Sequence, residues 1–123
     1  MSKTILIADD EPSIVVSLEY LLEHGGYEVR VARDGEEALA AVEKFHPDLV
    51  LLDVMLPRMN GFEVCQKVRE SPDLSGTRIV MLTAKGRDVE ISKGLALGAD
   101  AYVTKPFSTR ELMATISKLL EGK

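Results

Sequence analysis

Leu49-Val-Leu-Leu-Asp53-Val-Met-Leu-Pro57-Arg-Met-Asn60-Gly61 is the stretch on which the rest of the chain depends. An aliphatic run this dense reads as a strand buried on both faces, and a carboxylate set directly behind it stands at the edge of a core, where charge is costly. Pro57, Asn60 and Gly61 then turn the chain, which leaves Asp53 at the carboxyl end of the strand with a loop beside it.

On either side of this stretch, strand and helix patterns alternate. Thr4 to Ala8 is a short apolar run that stops at Asp9-Asp10-Glu11-Pro12, and helical spacing follows at Ile14, Val15, Leu18, Leu21 and Leu22 until Gly25-Gly26. Glu28 to Ala32 alternates polar with apolar, as a strand nearer an edge does. Asp34 with Glu37 reads as a helix cap, and Ala38, Leu39, Ala41, Val42 and Phe45 as its buried stripe. A helix from about Gly61 carries Phe62, Val64, Cys65 and Val68. Arg78 to Leu82 is a further strand ending at Thr83, and the helix after it is weakened by Gly94. The strand near Ala101 to Thr104 ends at Lys105-Pro106, and Ser108 with Glu111 caps a last helix carrying Leu112, Met113, Ile116, Leu119 and Leu120. Five such alternations predict an α/β fold, a doubly wound parallel sheet with helices on both faces.

Length and composition bound the function. A chain of 123 residues is one domain, residues 1–123, able to bury roughly two-thirds of the surface its unfolded form exposes. The apolar runs are too short for a signal peptide or a membrane span, so the expected compartment is the cytoplasm, with no membrane partner. The single cysteine, Cys65, excludes an internal disulfide and reads as a small core residue. A net charge of −5 argues against direct nucleic-acid binding, which needs a basic surface to displace counterions.

Ligands of open parallel sheets bind beyond the carboxyl ends of the strands. At those ends stand Asp9 and Asp10, Asp53, Thr83 and Lys105. Three close carboxylates repel by on the order of 4 kcal/mol per pair at an effective dielectric near 20, so the cluster calls for a cation. Few carboxylates, with positions left for water and a phosphate oxygen, suit Mg²⁺. A metal held by Asp9 and Asp10 beside a lysine and a threonine suits a phosphoryl group, with Asp53 as nucleophile and Lys105 and Thr83 on the phosphoryl oxygens. Each residue alone has a plainer role: Asp-Asp-Glu-Pro as a helix start, Asp53 as a turn former, Thr83 as a cap, Lys105 as surface charge. Separate capping roles would not put complementary chemistry at the ends of four strands.

These residues resemble the receiver domain of bacterial two-component response regulators over essentially the whole chain. The match lies in Asp9-Asp10, in Asp53-x-x-x-Pro57-x-x-x-Gly61, in Thr83-Ala84, and in Tyr102 with Lys105-Pro106-Phe107. The resemblance implies a flavodoxin-like strand order, 2-1-3-4-5. It implies phosphorylation of Asp53 by a sensor histidine kinase or a histidine phosphotransfer protein, with Mg²⁺ on Asp10, Asp53 and the Met55 carbonyl and Asp9 acting through water. It also implies a cis bond before Pro106 and a switch made of Thr83, Tyr102, Lys105 and Pro106. That switch would reshape the face of the fourth helix, fifth strand and fifth helix for a downstream protein, the chain itself being a monomer or a phosphorylation-dependent dimer. Met55 and Lys85 fall at positions that tune phosphate lifetime in the family, and Asn60 stands where the family often has Asp. Such a chain is a signalling switch that catalyses its own phosphorylation rather than a metabolic enzyme, and it stands alone or forms part of a longer regulator. Two other readings fit the fold: a flavin-binding electron carrier, which Asp9-Asp10-Glu11 opposes by repelling a flavin phosphate, and a Mg²⁺-dependent aspartyl phosphatase, which is opposed by Val54-Met55-Leu56 following Asp53 where such an enzyme usually has a second acid.

Overall fold

The computed structural model describes residues 3–84 and 86–121. Among these the order is β1 (Thr4–Ala8), α1 (Pro12–His24), β2 (Glu28–Ala32), α2 (Gly35–Phe45), β3 (Leu49–Asp53), α3 (Gly61–Glu70), β4 (Arg78–Ala84), α4 (Asp88–Ala96), β5 (Ala101–Lys105) and α5 (Thr109–Glu121), with a 3-10 turn at Pro72–Leu74. All strand pairs are parallel and the sheet order is β2-β1-β3-β4-β5, as expected. Lys85 lies outside the described residues.

Because successive strand residues point to opposite faces, each strand feeds two cores. Ile5, Ile7, Leu49, Leu51, Val80 and Leu82 pack with Val15, Leu18 and Leu22 of α1 and Leu112 and Ile116 of α5. Leu6, Ala8, Val50, Leu52, Ile79 and Met81 pack with Ala38 and Val42 of α2 and Val64, Cys65 and Val68 of α3. β3 is buried along its whole length, which is what its unbroken aliphatic sequence demands, whereas β2 at the sheet edge alternates exposed with covered.

Local chemistry fixes the helix ends. Asp34 Oδ1 accepts the Glu37 N–H at 2.8 Å. Asn60 and Glu63 form a reciprocal capping box at the start of α3, a role the sequence reading did not give to Asn60. Ser108 Oγ accepts the Glu111 N–H at the start of α5. Phe45 departs from the expected buried stripe: the last residue of α2, it is 39% exposed and is covered by the Arg30 guanidinium of β2, 3.7 Å from its ring centre. Gly94 costs α4 helix propensity but lets the helix approach the sheet, since a Cβ there would stand 3.1 Å from Met81 Cγ. Arg69 ties α3 to the β4 and β5 entrances by donating to the carbonyls of Gly98 and Thr77 and to Asp100 at 2.7–2.8 Å.

Candidate active site

The parallel sheet brings the carboxyl ends of its strands to one rim, and the polar residues that end them converge there. β1 delivers Asp9, fully buried, and Asp10, exposed; β3 delivers Asp53, 6% exposed; β4 delivers Thr83, 3% exposed. β5 delivers Lys105 from the far side, where the following Lys105–Pro106 bond is cis.

Each buried acid is held twice. Asp9 Oδ1 accepts the Glu11 N–H at 2.9 Å and Asp53 Oδ1 accepts the Met55 N–H at 3.1 Å, so both side chains are pinned by the backbone two residues on. Their other oxygens face Lys105, whose Nζ lies 3.0 Å from Asp9 Oδ2 and 3.4 Å from Asp53 Oδ2. Burial pushes the Asp53 carboxyl above its ordinary range, and the Asp9 charge adds to this, against the Met55 N–H and the Lys105 charge, which pull it down. Burial alone would lower Lys105, but its bond to Asp9 and the charges of Asp53 and Asp9 outweigh it and hold the ammonium above its usual value.

The loop after β3 is shaped to keep Asp53 in place. Gly61 N donates to the Val54 carbonyl at 3.0 Å, and a Cβ on Gly61 would fall 2.4 Å from the Asp53 carbonyl oxygen. Only a residue without a side chain fits there. Arg58 adopts a left-handed φ of 69° and lies 3.6 Å from Asp34 and 3.7 Å from Glu36, which docks the loop on the start of α2. The Pro12 helix start follows Glu11 as N-cap, so the acidic stretch both opens α1 and lines the site.

Asp9, Asp10 and Asp53 offer carboxylate oxygens within 4.8 Å of one another. Three acids, of which Asp9 and Asp53 share one lysine, leave uncompensated negative charge, and this oxygen-only donor set can hold a hard cation. The cavity beside them, about 320 Å³, is lined by Asp10, Asp53, Met55, Thr83, Arg87, Glu90 and Lys105, among others. Glu90 and Arg87 enter the site without any signal in the sequence. Glu90 lies in the first turn of α4, where it accepts the Thr83 hydroxyl at 2.7 Å. Tyr102 is not in the cavity: it is 45% exposed on β5, on the same sheet face as Thr83, because Met81 registers with Tyr102 and Thr83 with Thr104.

Residues 5–117 match the family model of the response regulator receiver domain. The chain belongs to that family. The receiver is 51% identical over 120 residues to the alkaline phosphatase synthesis transcriptional regulatory protein PhoP of Bacillus subtilis, matching 98% of this chain and 49% of that protein. It thus spans about half the length of the curated relatives it matches. Among solved structures it superposes on the chemotaxis response regulator CheY4 of Vibrio cholerae with a TM-score of 0.91, at 36% identity, over 98% of this chain and all of that one. It superposes equally well, with a TM-score of 0.91 at 27% identity over the whole of both chains, on the receiver domain of the Pseudomonas aeruginosa sensor histidine kinase PA1611, which carries a magnesium ion in its active site cleft. These matches support neither the flavin carrier nor the phosphatase. The receiver is a response regulator module of two-component signalling, and no described helix is long and apolar enough to cross a membrane.

Proposed function

We propose that the receiver takes a phosphoryl group onto Asp53 and uses it to change the face made by α4, β5 and α5. The observation that carries this reading is the Asp53 carboxylate itself: nearly buried, fixed through Oδ1 by the Met55 N–H, and presenting Oδ2 to Lys105 at 3.4 Å in an open cavity. A pinned carboxylate is a prepared nucleophile. One of its oxygens forms the new bond to phosphorus as the bond to the donor's leaving group breaks, giving an acyl phosphate and the released donor. Lys105 would neutralise a phosphoryl oxygen, and Asp9 would keep the lysine at the site, a role its 3.0 Å bond to Lys105 supports.

Asp9, Asp10, Asp53 and the Met55 carbonyl would hold Mg²⁺, which fits the excess of acid at the site. When bound, the ion would supply positive charge against the phosphoryl oxygens. The expected donor is a phosphohistidine on a sensor histidine kinase or a phosphotransfer protein.

Thr83 and Tyr102 lie on one sheet face, as a relay from the site to the surface requires. With phosphate on Asp53, Thr83 would turn its hydroxyl to a phosphoryl oxygen and Tyr102 would move toward the space it leaves. The changed face would be read by a downstream protein or by a second phosphorylated copy. The receiver therefore acts as a self-phosphorylating switch in the cytoplasm, with no direct contact to nucleic acid or membrane. The test is incubation with a small acyl phosphate and Mg²⁺ followed by intact mass. Wild type gains one phosphoryl group and Asp53→Asn gains none; an unmodified wild type, or an equal gain in Asp53→Asn, overturns the proposal.

A further inference from the structure

The cavity that holds Asp53 also contains an ion pair that this chemistry leaves unused. Glu90 is only 14% exposed at its side chain, and it divides its two oxygens between two donors. Oε1 accepts the Thr83 hydroxyl at 2.7 Å, and Oε2 accepts from Arg87 Nη2 at 2.8 Å. Arg87 is the residue at the N-cap of α4, one turn back on the same face, so it fixes the carboxylate from the solvent side.

A threonine hydroxyl has one proton to give, and an ionised carboxylate only accepts. While Glu90 takes that proton, Thr83 cannot donate it to a phosphoryl oxygen on Asp53. A short bond to a charged acceptor in a largely covered site also belongs to the stronger class of hydrogen bonds, so turning Thr83 away from it carries a real cost. Glu90 would moreover share its cavity with a phosphoryl group of the same charge.

We propose that Glu90 is a positioning residue that holds Thr83 in its unphosphorylated orientation, so that the Glu90 carboxylate and the phosphoryl group compete for one hydroxyl proton. Glu90 thereby sets how far the switch lies toward its resting state before any phosphate arrives. The inference rests on the reading that Thr83 answers a phosphoryl group at Asp53.

The test measures the affinity of the receiver for beryllofluoride, a phosphoryl mimic, in the presence of Mg²⁺, with the Thr83 methyl and Tyr102 ring followed by NMR. Glu90→Ala is expected to bind about tenfold more tightly than wild type, and to show Thr83 and Tyr102 signals shifted toward the bound position before the mimic is added. Glu90→Gln, which keeps the shape and an acceptor but not the charge, is expected to fall between them and serves if Glu90→Ala does not fold. In a Thr83→Ala background the gain from Glu90→Ala should shrink to the part due to charge repulsion alone, with no shift of Tyr102. Affinities of Glu90→Ala and Glu90→Gln equal to wild type, or a full gain that persists without the Thr83 hydroxyl, would overturn the proposal while leaving Asp53 as acceptor. A wild type that binds no beryllofluoride would instead overturn the Asp53 reading, and this inference with it.

Discussion

Adding one methyl group at Gly61 should damage both the fold and the chemistry, and by an amount that can be set against a control. A Cβ there would stand 2.4 Å from the Asp53 carbonyl oxygen, 2.9 Å from Val54 Cα and 3.0 Å from the Asp53 carbonyl carbon. All three are backbone atoms at the end of a fully buried strand, so none can swing aside as a side-chain tip would. Overpacking of a tight core costs about 1–3 kcal/mol, and the upper end applies where backbone must move. Against this, Gly→Ala restricts the unfolded chain and returns roughly 0.4–1 kcal/mol. The net expectation for Gly61→Ala is a loss of about 2 kcal/mol, or a Tm lowered by about 8 °C for a domain of this size. Gly76→Ala is the control, because nothing lies within 4 Å of its Cβ and its φ is not positive. It should be neutral or raise Tm by about 2 °C. The assay is thermal unfolding by far-UV circular dichroism, since the chain has no Trp. The shifted backbone belongs to the proposed acceptor, Asp53, so phosphorylation from an acyl phosphate should also slow by at least about tenfold in Gly61→Ala. Equal Tm values for the two variants, or an unaltered phosphorylation rate in Gly61→Ala, would refute the close-approach argument.

Three further outcomes follow from named contacts. Because burial holds the Asp53 carboxyl above its ordinary 3.8, the folded metal-free protein binds that proton more tightly than the unfolded chain, so stability from this group is full below 3.8 and is lost as pH rises through the folded value. Asp53→Asn should therefore raise Tm at neutral pH in metal-free buffer by a few degrees and give no gain well below pH 3.8; a gain that is the same at both would contradict it. The Cys65 thiol is fully buried, and burial pushes its pKa up, so thiol reagents at neutral pH should label it only on unfolding; rapid labelling of the native protein would disprove this. Arg69→Met keeps the stem but strands the Gly98 and Thr77 carbonyls and leaves Asp100 with the Ile79 N–H at 2.8 Å and Arg78 at 3.6 Å, a loss of about 3 kcal/mol by urea unfolding, whereas a surface arginine would cost almost nothing.

What the sequence made legible was whatever lies along single strands. The aliphatic runs at Ile5, Leu49 and Ile79 could only be buried strands, and parallel winding then forced Asp9, Asp53, Thr83 and Lys105 to one rim. What it concealed depends on where helices begin relative to that rim. Glu90 and Arg87 reach the site because the first turn of α4 stands beside Thr83, and where a helix starts relative to the sheet rim has no periodicity to read. Gly94 looked like a weak point of its helix, since propensity ignores the Met81 side chain waiting beneath it. Phe45 followed the helical stripe, but as the last residue of α2 it stays partly exposed, with the Arg30 guanidinium and the Lys44 ammonium over its ring. The left-handed Arg58 belongs to the docking of its loop on the start of α2 and emerges only once the two are adjacent, whereas Asn60 with Glu63 is a local capping pair that the spacing Asn-x-x-Glu already carries.

The claim at the centre of this account is that Asp53, rather than either of the two acids beside it, carries the phosphoryl group. Borohydride reduction of the acyl phosphate converts the modified aspartate to homoserine, which peptide sequencing locates directly. After treatment with a small acyl phosphate and Mg²⁺, the account predicts homoserine at position 53 alone, within the peptide that spans Leu49 to Gly61. Homoserine at Asp9 or Asp10, or at no aspartate of a receiver that has gained phosphate, would contradict it.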